Sequence, residues 1–289
     1  MSIQTATAGN LENAQNVVLT EARYTAESAT PVKNLVEYFR LGQGEKQLTV
    51  PKVGAISVDN LQDGVDIVTS KDLSLSTTDL TTGEKGGKFI LTDKLIRQFN
   101  EDVFKMVGRL LGNAGDRKVD NDLIALWPAL NGGTVLGADN RYFVRENAAG
   151  CVAYARAKMY PEPVSIVHHP NAIYFLTSSL IGIGSAYLPP VPSQLQNFYK
   201  ASLDGVLCYL DANIAKVTGY DSGYGALFSK SAMAYIESNA WNTERERDAS
   251  LRAWEVVFTS DYGVFELDDS YGVALQYEIG TVETTSTST

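Results

Sequence analysis

Apolar positions along this 289-residue chain change period several times, and each change predicts a different kind of element. Residues 1 to about 41 are mostly polar, with one modest helical pattern at Leu35, Val36 and Phe39. So few large side chains cannot bury a core, which predicts an arm lying on other structure, such as another subunit. Over residues 45–91 the period becomes two. Leu48 and Val50 alternate with polar neighbours, as do Leu73 and Leu75, the signature of strands with one apolar face. A two-stranded ribbon is marginally stable in water by itself. A long projecting loop resting on a neighbouring chain is therefore expected.

From Thr92 the period changes again. Leu95, Phe99, Val103, Met106 and Leu110 recur at spacings of three and four, and Thr92 or Asp93 can cap the first turn. Continued to Trp127, just before Pro128, this helix would span roughly 35 residues and ~50 Å. Gly108, Gly112 and Gly115 are the positions where it would break or kink.

Residues 140–160 mix strand and helix signals. VSIVHHP predicts a buried strand, and Pro170 opens a helix over PNAIYFLTSSL. DGVLCYLDANI predicts a strand with its own exit turn. The charged run TERERD, Thr243 to Asp248, reads as a polar turn that feeds the final strands. There Trp254, Val256 and Phe258 alternate with Glu255, Val257 and Thr259. Val273, Leu275, Tyr277 and Ile279 form a second alternating set, and DYGVFELDDSYG supplies the turn between the two. Strands and helices mix without regular βαβ alternation, which predicts an α+β fold.

Charge narrows the function. A net charge of −10 argues against a protein whose main task is gripping nucleic-acid phosphates. Cys151 and Cys208 sit in apolar contexts without metal-ligand spacing, so buried free thiols are expected. The start MSIQTATAGNLENAQ lacks a basic segment followed by an apolar one, and no apolar run reaches the ~18 residues that span a bilayer. A soluble, cytoplasmic product is expected, with the polar TVETTSTST as a frayed tail.

Candidate chemistry is sparse. His168 and His169 are adjacent on a strand and so point to opposite faces, which disfavours a shared metal or a single general base. DSGYG and GIGSAY lack the phosphate-loop ending. Glu244, Glu246 and Asp248 interleave with Arg245 and Arg247, and opposite charges favour ionised carboxylates over proton donors. The run reads as a solvated, salt-bridged loop or as a contact with a neighbouring subunit. A hydrolase using those carboxylates is the reading from another class.

In order, the parts are an arm, a long ribbon, a long helix, a mixed region and closing strands. That order resembles the tailed-bacteriophage major capsid proteins with the HK97-like fold. QLTVPKVGAISV leading into GGKFILTDKLIRQF looks like an E-loop entering a spine helix, and VSIVHHPNAIYFL looks like the A-domain entry. ERDASLRAWEVVFTSDYGVFELDDSYGVAL resembles the closing strands. The resemblance implies an N-arm at 1–41, an E-loop at 42–91, a P-domain with spine helix at 92–160, an A-domain at 161–242, returning P-domain strands at 243–280 and a flexible tail at 281–289.

It also implies a structural, non-enzymatic protein without cofactors, forming hexamers and pentamers of an icosahedral virion shell assembled in the bacterial cytoplasm. The shell would enclose double-stranded DNA without sequence-specific binding or membrane contact, with a portal protein and a separate scaffolding protein as partners. Glu244, Arg245, Glu246, Arg247 and Asp248, with the ribbon lysines Lys71, Lys85 and Lys88, become candidates for contacts between subunits. Some members crosslink an E-loop lysine to a P-domain asparagine. Here Ala253 and Trp254 stand where the asparagine would fall, with Ser260 and Asp261 near the assisting glutamate's place, so no crosslink is expected. The nearest rival within the fold is an encapsulin-type shell, expected to begin with a helix rather than a polar arm.

Overall fold

The computed structural model describes residues 31–42, 44–54, 60, 75–98, 103–181, 199–203 and 205–280. The arm enters as a 3-10 turn, Val32–Asn34, followed by strand β1 (Glu37–Arg40). The helical pattern expected around Leu35 is therefore a turn and a strand. β1 lies parallel to the strand at Met233–Asp248, and that long-range pairing overrides the weak local helix signal. Strands β2 (Leu48–Val53) and β3 (Leu75–Leu80) form the expected antiparallel ribbon, while β4 (Gly83–Thr92) leaves it to join the main sheet.

Helix α1 (Asp93–Gln98) starts where expected, with the Leu95 N–H donating to Thr92 Oγ1 at 3.4 Å. Phe99 lies outside the described residues. Helix α2 (Val103–Ile124) passes through all three glycines and stops before Trp127, where a 3-10 turn (Trp127–Ala129) and the short α3 (Leu130–Gly133) take over. Leu111, Val119 and Leu123 face inward. Gly115 stands in the same row. A Cβ there would come within 2.9 Å of Trp241 and 3.0 Å of Phe258, so this glycine lets the helix approach the sheet.

The chain continues through β5 (Val135–Gly137), α4 (Arg145–Ala157), β6 (Val164–His168) and α5 (Pro170–Ile181), the last two as the sequence predicts. Then follow β7 (Tyr199–Leu203), β8 (Val206–Leu210), β9 (Ser222–Ser229), β10 (Met233–Asp248), β11 (Ala253–Glu266) and β12 (Gly272–Glu278). Among the described residues these strands form three sheets. One has the order β1-β10-β11-β4, one the order β5-β12-β9-β6-β8-β7, and the third is the β2-β3 ribbon.

Three expectations are corrected. TERERD is not a turn but the far end of β10, in antiparallel register with β11, and the reversal falls at residues 249–252. DYGVFE is strand as well, because β11 runs on to Glu266 and the chain turns only at Asp268–Tyr271. The closing strands do not pair with each other: β11 lies between β10 and β4, whereas β12 lies between β5 and β9.

The main core joins both large sheets. Val119, Leu123 and Trp127 pack with Val32, Val36, Phe228, Tyr235 and Tyr262, and with β12 residues such as Val273 and Leu275. Each such fully buried apolar side chain contributes about 1.5–3 kcal/mol. A smaller cluster of Leu91, Leu95, Leu111, Val256 and Phe258 seats α1 and α2 on the outer part of the sheet.

Candidate assembly surface

Charge on the β10–β11 hairpin is sorted by the pleat. Successive side chains on a strand point to opposite faces, so the alternation Glu-Arg-Glu-Arg places both arginines on one face and the acids on the other. Arg245 and Arg247 stand opposite Val256 and Trp254 on the helix side of the sheet. The Arg247 guanidinium lies over the Trp254 ring at 5.5 Å and grips Asp93 of α1 with both terminal nitrogens. That hydrogen bonding holds the Asp93 carboxyl below the ordinary value of 3.8. The Asp93 N–H also donates to the Arg252 carbonyl at 2.9 Å, so hairpin tip and helix start are doubly joined.

On the other face, Glu246 stands directly across from Glu255, and Glu244 across from Val257. Glu255 pairs with Lys88 of β4 at 2.5 Å, while Glu244 and Glu246 face solvent. Asp248 closes the turn. Its Oδ1 accepts from the Ser250 N–H and hydroxyl at 2.8 and 2.7 Å and from the Leu251 N–H at 3.1 Å, and the Ser250 hydroxyl leads in lowering its pKa. Side chains held ionised in this way do not donate protons at neutral pH.

Lys85 and Lys88 lie on β4 of the main sheet, not on the two-stranded ribbon. Lys85 reaches Asp122 at 2.6 Å and covers the Tyr262 ring at 4.2 Å. Burial alone would raise the Asp122 carboxyl, but hydrogen bonds from Lys118, Lys85 and Tyr262 outweigh it and hold the pKa below 3.8. Lys71 lies outside the described residues. Ala253 is buried and Ser260 is 2% exposed, donating its hydroxyl to the Asn239 carbonyl.

The ribbon is seated on its own chain at its base. Leu80, Leu48 and Val50 pack with Leu41, Ala234, Ile236, Phe265 and Leu267, and Lys52 pairs with Asp268 at 2.6 Å. Where the described strands stop, Val53 and Leu75 are at 57% and 61% exposure. Those two residues stand opposite each other in the ribbon and present apolar surface to solvent.

The histidines and cysteines serve the fold. His168 is fully buried, its pKa driven down to about 3 by burial, and its Nδ1 accepts the His169 N–H at 2.8 Å. His169 Nδ1 accepts the Asn171 N–H at 3.2 Å at the start of α5. Cys151 and Cys208 are free and buried, and burial pushes the Cys208 thiol up to about 12. Among the described residues no group of three or more His, Cys, Asp or Glu side chains converges on a metal position. Clefts of about 300 and 320 Å³ lie beside Tyr142 and Phe175 and beside Tyr160 and Val206, and the charged residues of β10 line neither.

Sequence spacing missed the own-chain anchors Asp93, Asp122 and Asp268, because their partners Arg247, Lys85 and Lys52 lie in other segments. The readable signal was the strict charge alternation in TERERD, which is period two and fits a strand better than a turn.

This architecture is the HK97-like capsid fold. The capsid structure of the cyanophage P-SCSP1u matches over 92% of this chain and 94% of that chain, at TM-score 0.67 and 15% identity. A structure from Mycobacterium phage Che8 matches over 90% and 95%, at TM-score 0.69 and 18% identity. The holo-SrpI encapsulin complex of Synechococcus elongatus PCC 7942 matches over 99% of both chains, at TM-score 0.67 and 11% identity. No protein-family profile and no curated protein matches the sequence.

Proposed function

We propose that this chain is the major capsid protein of a tailed double-stranded DNA bacteriophage, building the icosahedral head as hexamers and pentamers. The observation that carries this reading is the whole-chain likeness to the cyanophage capsid structure. Closed symmetric assembly sums many modest contacts into a stable container, and the protein's role is structural, not enzymatic. The exposed Val53 and Leu75 of the ribbon suit contact with an adjacent subunit. The sign-sorted hairpin, with Glu244 and Glu246 on one face and Arg245 and Arg247 on the other, suits charge pairing around a point where subunits meet. Lys71, Lys85, Lys88 and Asp248 belong to the same set of intersubunit candidates. A portal protein and a separate scaffolding protein complete the head in the host cytoplasm. The chain's acidity lets enclosed DNA move without tight binding.

An encapsulin-type shell is the second reading, favoured by the 99% coverage of the encapsulin complex. Purification of shells from infected or lysogenic cells separates the two. Nuclease-protected, genome-length DNA inside is the result expected, and shells holding only a protein cargo would establish the second reading.

A further inference from the structure

A buried acidic cluster elsewhere in the molecule has no part in the assembly surface. Asp120 on α2 and Asp211 at the exit of β8 are both 0% exposed, and their carboxyl groups lie within hydrogen-bonding reach of each other. The Val32 N–H donates to Asp120 Oδ1 at 3.2 Å, and Asn213 Nδ2 donates to Asp120 Oδ2 at 3.1 Å. The Asn213 N–H donates to Asp211 Oδ1 at 2.8 Å, while among the described residues no N–H or O–H reaches Asp211 Oδ2. The contact thus gathers the arm entry, the central helix and the loop after β8, segments 88 and 93 residues apart in sequence.

Three lysines on these elements, Lys33, Lys118 and Lys216, are engaged elsewhere. Lys33 of the arm lies over the Tyr235 ring at 4.8 Å, and Lys118 of α2 pairs with Asp122. Asp116 and Arg117 are exposed. Lys216, beyond the β8 exit, pairs with Asp221. On the neighbouring strands His168 is uncharged at neutral pH and the Cys208 thiol is protonated, as burial dictates. Two like charges in direct contact inside a core, without a counter-ion, do not both ionise.

We propose that Asp120 keeps its proton and donates it to Asp211, forming a clasp that fastens the arm and the β8 exit to the central helix and that opens in mild alkali. That proton supplies the donor that Asp211 Oδ2 otherwise lacks. Burial first, then the hydrogen bond and charge of Asp211, raise the Asp120 carboxyl from 3.8 to about 8. A folded-state pKa raised in this way gives stability that is complete below the unfolded value and is lost as pH rises through the folded one. The clasp is a property of the subunit and stands whichever shell the chain builds.

The test is equilibrium unfolding of the full-length chain by denaturant, as wild type and Asp120→Asn, from pH 5 to 9.5. Asparagine keeps an acceptor for Val32 and gains a donor for Asp211, and the Asn213 side-chain amide turns over so that its oxygen, not its NH2, meets the new NH2. The wild-type folding constant should fall relative to the variant by up to tenfold per pH unit, levelling off above about pH 8. Identical pH dependence in both proteins would overturn the proposal. Should Asp120→Asn not fold, infrared spectroscopy of the wild type decides. A protonated-carboxyl band at pH 7 that vanishes in mild alkali, while amide exchange at Val32 quickens, is the expected result. Absence of that band overturns the clasp.

Discussion

Arg247, next to the tip of the β10–β11 hairpin, and Asp93, the first residue of α1, are 154 positions apart in sequence and meet as a two-pronged ion pair. The tip of an extended hairpin is thereby tied to the body of its own subunit, and the geometry of any neighbour's contact with the tip is preset. Removing either partner, as Arg247→Ala or Asp93→Ala, should leave the core intact but quicken amide exchange over residues 244–254. The charge swap Arg247→Asp with Asp93→Arg should restore slow exchange, and high salt should weaken the wild-type tie.

Among the described residues, exposed Glu244 and Glu246 make no ion pair that seats the hairpin on its own sheet, so reversing both to lysine should leave the melting temperature nearly unchanged. In the capsid reading the same change blocks shell formation, read by sedimentation. Reversal of Arg245 and Arg247 to glutamate should also block it, with the added loosening that follows from losing Asp93.

Trp127 is fully buried where α2 ends, its ring 6.4 Å from that of Phe228. Trp127→Ala should cost about 3–5 kcal/mol in denaturant unfolding, the range for large aromatic truncations in a core.

Gly263 lies in β11 opposite Ile236, and a Cβ there would stand 2.2 Å from the Thr81 carbonyl oxygen. Thr81 belongs to the link between ribbon and main sheet. Gly263→Ala should therefore destabilise by about 1–3 kcal/mol, as overpacking does, with exchange increases centred on residues 75–85.

Acid should release the ribbon base. Burial would raise the Asp268 carboxyl, but hydrogen bonds from Lys52 and Ser270 outweigh it and hold the pKa below 3.8. The stabilisation is present above 3.8 and is lost as pH falls through the lower, folded-state value. Exchange in residues 48–53 should rise in that acid range for the wild type. Lys52→Met should show the rise already at neutral pH.

Much of the frame could be read from single-residue periodicity. The β6–α5 passage announced itself through a short apolar run followed by Pro170, whereas the helical stripe read through Leu110 is not the inward row of α2, which runs through Leu111, Val119 and Leu123. The other failures share one cause, which is that long-range pairing decides a segment whose local signal is weak. TERERD carries charge on both faces because β1 pairs with β10 only at residues 234–237, so this part of β10 is a sheet edge with exposed side chains while β11 supplies the buried Val256, and the run resembles a turn. The stretch from Tyr262 to Phe265 contains a glycine and follows an aspartate, which suggests a reversal, yet its pairing with β10 keeps it extended. The β1 segment has apolar residues at helical spacing, but β10 offers it an open edge. The buried Asp120 gave a fainter clue, an acid one position from the inward Val119.

Negative-stain electron microscopy with light scattering on the purified full-length chain, across salt and protein concentration, bears most directly on the central claim. Uniform closed shells or hexamer-sized rings are the predicted result. A chain that stays a monodisperse monomer at high concentration, with crowding agents and in the presence of a scaffolding partner, would contradict it.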